Sequence, residues 1–214
     1  MSILGQLSSQ VGDRTEKSNR EVVALCFEQP ALLLEIAGGL NSEEAALVGD
    51  CAEVLTEVAK VHPDWVTPHA ETLSALLTHK KPARVRWEAM HALALVAHLV
   101  PAVMAGLLQR LAEIIRNDTS VIVRDHAVDA LGSYARTGEE AALAAYPLLV
   151  EALTLWDGKQ AAHALEGLEN VGSAVTGLGD ELWSIGIRYH DDRRARVRKA
   201  AKGLTKIKPP SESR

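Results

Sequence analysis

Apolar and polar positions along this 214-residue chain follow a helical period, and above it a second period near 38 residues. Leu55, Leu93, Leu131, Leu168 and Leu204 stand at intervals of 38, 38, 37 and 36 residues. Four residues before each leucine stands a small residue: Cys51, Ala89, Ala127, Ala164 and Ala200. Three residues beyond the small residue come Val54, Ala92, Ala130, Gly167 and Gly203, and seven beyond it Val58, Val96, Tyr134, Val171 and Ile207. A turn of about 100° per residue gathers all these positions on one helical face. A unit of this length cannot bury such a face alone and must stack on its neighbours, which makes the array a solenoid and one continuous body.

Start and stop signals divide the chain into helices. Residues 1–29 read as an atypical capping segment with a helix over Asn19–Glu28, as terminal repeats require. Pro30 opens a short helix that Gly38 and Gly39 stop, and Asn41 with Glu44 forms a capping box for the next. Pro63 opens a helix ending near Lys80, and Pro82 opens its partner. Pro101 opens another, and Asp118 caps the one after it. Thr137 with Glu140, Asp157, and Asp191 or Asp192 supply the remaining caps, while three glycines blur the start of a helix in Gly172–Asp180. The result is an all-α array of about five antiparallel helix pairs over residues 30–208, with residues 209–214 expected to be disordered because that stub has nothing to bury.

Composition refines this picture. Aromatics make up only 4 % of the chain, which suits helices packed through Ala and Leu, and the apolar fraction of 47 % is that of a folded domain. No apolar run approaches the roughly 20 residues that span a bilayer, and the start carries no secretory pattern, so a cytoplasmic protein without membrane contact is expected. Cys26 and Cys51 read as small buried hydrophobes. Charge is divided unevenly: residues 193–214 hold nine Lys or Arg against one Glu, whereas the rest of the chain is acidic.

The segments Val85-Arg86-x-x-Ala89-x-x-x-Leu93 and Val123-Arg124-x-x-Ala127-x-x-x-Leu131, the second preceded by Asp118, resemble the second-helix signature of HEAT repeats. The resemblance spans roughly residues 30–208 and fades at both ends, where Val48, Ala161 and Val197 replace the arginine. It implies an α-α superhelix whose second helices line a concave side, and it carries no catalytic residues. Arg86 and Arg124, at the edge of the buried face, are expected to bond carbonyls or carboxylates such as Asp118.

Positions one before, two before and two after each small residue point away from the core. They bring together Trp87, Glu88, His91, Asp125, His126, Asp129, His163 and Glu166 as a candidate partner-binding face, with Asp50 and Glu53 on the same rows. Trp87 is either an anchor for a partner or a ring folded over a neighbouring helix, whereas Trp65, Trp156 and Trp183 read as packing. Such a face suits a protein or peptide, favouring one with basic residues. Imidazole and carboxylate together can also ligate a metal. Deoxyhypusine hydroxylase, a di-iron enzyme on HEAT-like repeats, carries His-Glu pairs just after such an arginine; here Trp87-Glu88 and Asp125-His126 stand there, so no metal is expected. No phosphate-cradling loop, nucleophile elbow or Cys-x-x-Cys pair occurs, so neither catalysis nor a cofactor is expected. Arg193, Arg194, Arg196, Arg198, Lys199 and Lys202 form a basic patch on the last helix, read as the polar face of a cap or an electrostatic foot for phosphate. Resemblance to small HEAT-like alkylpurine DNA glycosylases keeps nucleic acid as the alternative partner, disfavoured by the acidic face.

Overall fold

The structure, a computed structural model, describes residues 2–15 and 17–207; the tail expected over 209–214 lies outside them. It is all-α, with no strand among the described residues, and divides into two compact units, Met1–Val103 and Met104–Arg214.

The first unit contains α1 (Ser8–Val11), α2 (Lys17–Glu28), α3 (Leu32–Gly39), α4 (Ala45–Ala59), α5 (Pro63–Val66), α6 (Ala70–Ala75) and α7 (Ala83–Val96). α4 is its centre, packed by α2, α3 and α7. Cys51, Val54, Leu55 and Val58 of α4 and Ala89, Ala92, Leu93 and Val96 of α7 are fully buried, as the repeat pattern requires. In the second unit, α8 (Pro101–Asn117) contributes its residues from Met104 onward. It is followed by α9 (Val121–Ala135), α10 (Glu139–Ala152), α11 (Ala161–Ala174), α12 (Gly179–Arg188) and α13 (Ala195–Leu204). The second helices α9, α11 and α13 pack in succession, and α10 and α12 each pack beside them. Ala127, Ala130, Leu131, Ala164, Leu168 and Leu204 are fully buried.

α3 does end at its two glycines, with Gly39 as its last residue. A Cβ on Gly39 would meet the Cys51 sulfur at 2.5 Å, so this glycine serves close helix packing. Several other expected starts and stops fall elsewhere, each for a local reason. The single helix expected from Pro63 to Lys80 is broken into α5, a 3₁₀ turn over Thr67–His69, and α6. Pro68 lies in that turn, and its missing N–H and ring cannot continue an α-helix. α4 begins at Ala45 after Glu44, with no side-chain cap from Asn41. α10 follows Gly138 without a cap from Thr137, whose hydroxyl instead donates to the Tyr134 carbonyl at 2.9 Å. Asp157 caps nothing: Trp156, Asp157 and Gly158 all adopt left-handed backbone conformations ahead of α11. Such a conformation strains Trp156, which is held by an indole N–H bond to the Ile115 carbonyl at 2.9 Å.

A device repeats ahead of α9 and α13. The Asp118 carboxylate accepts the Ser120 amide at 2.8 Å, and the Ser120 hydroxyl caps α9 by accepting from the Val123 amide. The Asp118 carbonyl accepts from the Arg124 guanidinium, which is 1 % exposed and lies 4.0 Å beneath the Trp156 ring. Ahead of α13 the Asp192 carboxylate accepts the Arg194 amide at 2.8 Å, and the Asp192 carbonyl accepts from Arg198 at 2.8 Å. Arg198 therefore does in the last repeat what Arg124 does in the third. The sequence expectation that Val197 displaced this arginine is corrected. The Val-Arg pair is present, shifted by one residue against the leucine register, with Ala201 fully buried four residues beyond Val197. Arg86 follows suit, donating to the Lys81 carbonyl at 2.6 Å.

Two outcomes test this account. Arg124→Ala removes a buried charge-assisted bond and leaves the Asp118 carbonyl without that donor, so unfolding in denaturant should show a loss of about 2 kcal/mol; an unchanged midpoint would contradict the role. Gly132 of α9 faces Gly167 of α11, where an added Cβ would stand 2.8 Å from the Gly167 Cα. Gly132→Ala should therefore cost about 1–3 kcal/mol by forcing the helices apart. Gly106→Ala, with nothing within 4 Å, should be neutral or stabilising by up to about 1 kcal/mol. Thermal melts of the two variants separate these effects.

Candidate functional site

In the first unit, the row that the sequence turns outward is partly internal. Asp50 is 1 % exposed. Its carboxylate accepts from the Ser9 amide at 2.7 Å, the Asn19 side-chain amide at 3.1 Å and Arg84 at 2.7 Å. Burial pushes the Asp50 carboxyl upward, but these donors overcome it and hold its pKa below the ordinary value. Glu53 joins the network, accepting from Asn19 at 2.9 Å and from Arg84 at 2.8 Å. Asn19, itself fully buried, accepts the Ser8 amide at 2.9 Å and so ties α1 and α2 to α4. Asp50 thus fastens the N-terminal segment and is removed from the candidate face. Arg84, which the sequence reading passed over, is the cation that satisfies both carboxylates.

Trp87, Glu88 and His91 of α7 are half-buried. The Trp87 indole N–H donates to Glu88 Oε1 at 2.7 Å, and part of the residue stays accessible. Burial raises the pKa of Glu88.

The second unit gathers the remaining candidates on α9 and α11. His163 Nδ1 lies 2.6 Å from Asp129 Oδ1, and His126 Nδ1 lies 3.5 Å from Asp129 Oδ2. His163 Nε2 lies 4.0 Å from Asp125 Oδ2, while Asp125 Oδ1 accepts from the buried Gln160 amide at 2.9 Å. Asp129 is therefore a carboxylate set between two imidazoles. Burial pushes its pKa up, yet the hydrogen bonds from His126 and His163 draw it down to about 2. For His163 burial pushes the pKa down, and the Asp129 bond and charge reverse that to a net rise. Glu166, one turn beyond His163 and exposed, lies 3.4 Å from Arg196 of α13.

The basic patch is less uniform than its sequence suggests. Arg194 makes a paired contact with the Asp192 carboxylate at 2.9 and 2.8 Å and reaches the Gly158 carbonyl at 2.5 Å. Arg198 is bound to backbone, as described above. Arg196 turns toward Glu166, and Arg193, Lys199 and Lys202 are exposed. Arg84 and Arg196 occupy the same place in two copies of one tetrapeptide, Ala83-Arg84-Val85-Arg86 and Ala195-Arg196-Val197-Arg198. Each copy opens a second helix and reaches back to the second helix before it, at Glu53 or Glu166. That recurrence is the signal that would have found these ion pairs from the sequence.

No family model and no curated protein matches the sequence. Solved structures do. An engineered protein superposes with a TM-score of 0.74 over 96 % of this chain and 94 % of its own, at 20 % identity. A designed armadillo repeat protein, solved in complex with the peptide (KR)4, superposes with a TM-score of 0.72 over 96 % of this chain and 97 % of its own, at 18 % identity. The fold is that of armadillo and HEAT-like repeat proteins. A natural example is an archaeal HEAT-like repeats protein from Thermococcus onnurineus NA1, at 14 % identity and a TM-score of 0.55 over 89 % of this chain and 94 % of that one. The helix pairs expected from the 38-residue period are the HEAT-like repeats of this fold, and among the described residues no helix is long and apolar enough to cross a membrane.

The Asp129–His163 pair has a measurable pH signature. Its carboxylate contribution to stability is present above the unfolded aspartate value of about 3.9 and disappears as pH falls toward 2. The imidazole contribution is complete below about 6.5 and declines as pH rises through the higher folded value of His163. Thermal melts from about pH 6 to 8 should therefore show the wild type losing stability that Asp129→Asn lacks throughout. Parallel curves for the two proteins would rule this coupling out.

Proposed function

We propose that this protein is a polypeptide-binding scaffold that uses the outward face of its second helices and carries out no chemistry of its own. The carrying observation is the arrangement on α9 and α11, where Asp125, Asp129 and Glu166 stand with His126 and His163 at half-buried or exposed positions. An anionic face built on packed helices is preorganised for cationic side chains and loses little on binding them. In the first unit, Trp87, Glu88 and His91 supply a part-exposed aromatic ring beside polar groups, the composition of an anchor. The armadillo fold supports the same reading, since a designed protein of that fold was solved with a Lys-Arg repeat peptide. Solenoids present extended surfaces and hold them rigidly. The proposed partner is therefore a protein or peptide segment bearing Lys or Arg.

Nucleic acid binding through the last helix is the weaker reading. Arg194 and Arg198 are spent on the loop that starts α13, and Arg196 on Glu166. Such a contact would rest on Arg193, Lys199 and Lys202.

Fluorescence anisotropy with a labelled (KR)4 peptide tests the proposal. The wild type should bind with an affinity that falls as salt rises. Asp125→Asn and Glu166→Gln, both on the second unit and outside the core, should each weaken binding by about tenfold. Equal binding by wild type and both variants, or equal binding of a Glu-rich peptide, would overturn the assignment.

A further inference from the structure

We propose that Asp129, His163 and Glu166 form a site for one divalent transition-metal ion of the zinc class. Each offers a donor atom, and the three donors lie within 4.8 Å of one another. Two helices hold them: Asp129 on α9, and His163 with Glu166 three residues on, along one side of α11. The sequence alone argues against a metal, because the consecutive His-Glu step just after the Val-Arg arginine is replaced by Trp87-Glu88 and Asp125-His126. The structure instead assembles its donors across two repeats.

The surroundings match what a ligating histidine needs. With Nδ1 turned to the metal, Nε2 faces the Asp125 carboxylate 4.0 Å away, and Asp125 is itself fixed by the Gln160 amide. At 4.0 Å this carboxylate lies beyond hydrogen-bond length and supports the imidazole through its negative charge; a small approach would give the carboxylate–histidine pair that is general for metal-bound histidines. His126, 3.5 Å from Asp129, orients the same carboxylate from its other side. Zinc takes imidazole nitrogen and carboxylate oxygen at about 2.0–2.2 Å, so tetrahedral donors stand about 3.4 Å apart. The donors lie within 4.8 Å, so reaching that spacing asks the exposed Glu166 side chain to close by up to about 1.4 Å, while His163 Nδ1 and Asp129 Oδ1, 2.6 Å apart, open to admit the ion. Three protein donors leave a fourth position for water. One nitrogen with two oxygens suits zinc better than calcium or magnesium, which prefer all-oxygen sets, and better than copper(I), which prefers sulfur.

The structure also names the competitor. The Arg196 guanidinium lies 3.4 Å from Glu166 and 3.5 Å from His163 Nδ1, so a cation already rests against two of the three donors. Its side chain is 58 % exposed and can swing into solvent when an ion binds. Zinc and Arg196 then exclude each other, a relation that histidines scattered over a surface would not show.

Calorimetric titration of the full chain with zinc chloride alone, after chelator treatment and near neutral pH, tests the site. One zinc should bind per chain. Binding should weaken at least about tenfold in Glu166→Gln and in His163→Gln, and strengthen in Arg196→Gln. Glu166 and Arg196 are exposed, so those two variants decide the matter even where the His163 variant fails to fold. Absence of zinc uptake overturns the proposal, as does an affinity indifferent to Glu166→Gln or to Arg196→Gln. The titration contains no peptide, so its failure leaves the polypeptide-binding reading untouched.

Discussion

Close approach of successive second helices is the constraint on which the rest depends. Within each unit the neighbouring second helices pack directly, α4 with α7, and α9 with α11 and α11 with α13. At Gly132 and Gly167 the backbones come so near that even a methyl group has no room. At that distance the side chains flanking the seam from consecutive repeats necessarily meet. Leucine fills the seam on one side, and on the other the polar rows are brought into hydrogen-bonding range. The carboxylates, imidazoles and guanidinium groups described above stand about one repeat apart in sequence and within 4 Å in space for that reason. Packing and surface chemistry share one cause.

Arginine converts this stacking into a defined start for each second helix. Arg86, Arg124 and Arg198 all turn back to a carbonyl five or six residues earlier, closing the loop from which their helix emerges. Burying a guanidinium is expensive unless its donors are used. In the third repeat that cost is offset by the Asp118 carbonyl and by the Trp156 ring laid over the cation, although the buried Arg124 Nε makes no hydrogen bond among the described residues. The left-handed backbone at Trp156 and Asp157 follows from that arrangement, because the indole has to reach over Arg124 and down to the Ile115 carbonyl at once. Strain at one turn is the counterpart of a buried charge two helices away.

Such relations explain which features the sequence disclosed. The 38-residue period, the helix pairs and the buried leucines rest on local spacing, and spacing is visible in one chain. The burial of Asp50 is invisible in the same way, because it depends on Ser9 and Asn19 folding across α4 from far upstream. The last repeat was misaligned because leucine and arginine registers differ there by one residue, and only the bond from Arg198 to Asp192 decides between them. Helix caps proved hardest to read. Asn41, Thr137 and Asp157 are competent cap residues, yet loop geometry set by the stacked helices placed the helix starts elsewhere. The outward positions were legible residue by residue on α9 and α11, and least so on α4, where the N-terminal segment bonds Asp50.

A comparison of equivalent positions shows why the face on α9 and α11 differs from the rest. Glu53, Asp129 and Glu166 occupy the same place in three second helices, two beyond the small residue. Glu53 is neutralised by Arg84 and Glu166 by Arg196, through identical tetrapeptides that begin the following helix. Asp129 is met instead by His163, from the following helix, and by His126, from its own. A guanidinium is charged at every accessible pH and holds its carboxylate continuously, whereas an imidazole gives up its proton within the physiological range. The charge on Asp129 is therefore compensated only conditionally. Once His163 is neutral, a half-buried carboxylate with a lowered pKa is left facing a face whose other cation, Arg196, is bound loosely and largely in solvent. A lysine or arginine of a partner and a metal ion would meet the same electrostatic demand there, because of the three carboxylates in this row Asp129 is the one paired with imidazoles and not with a guanidinium.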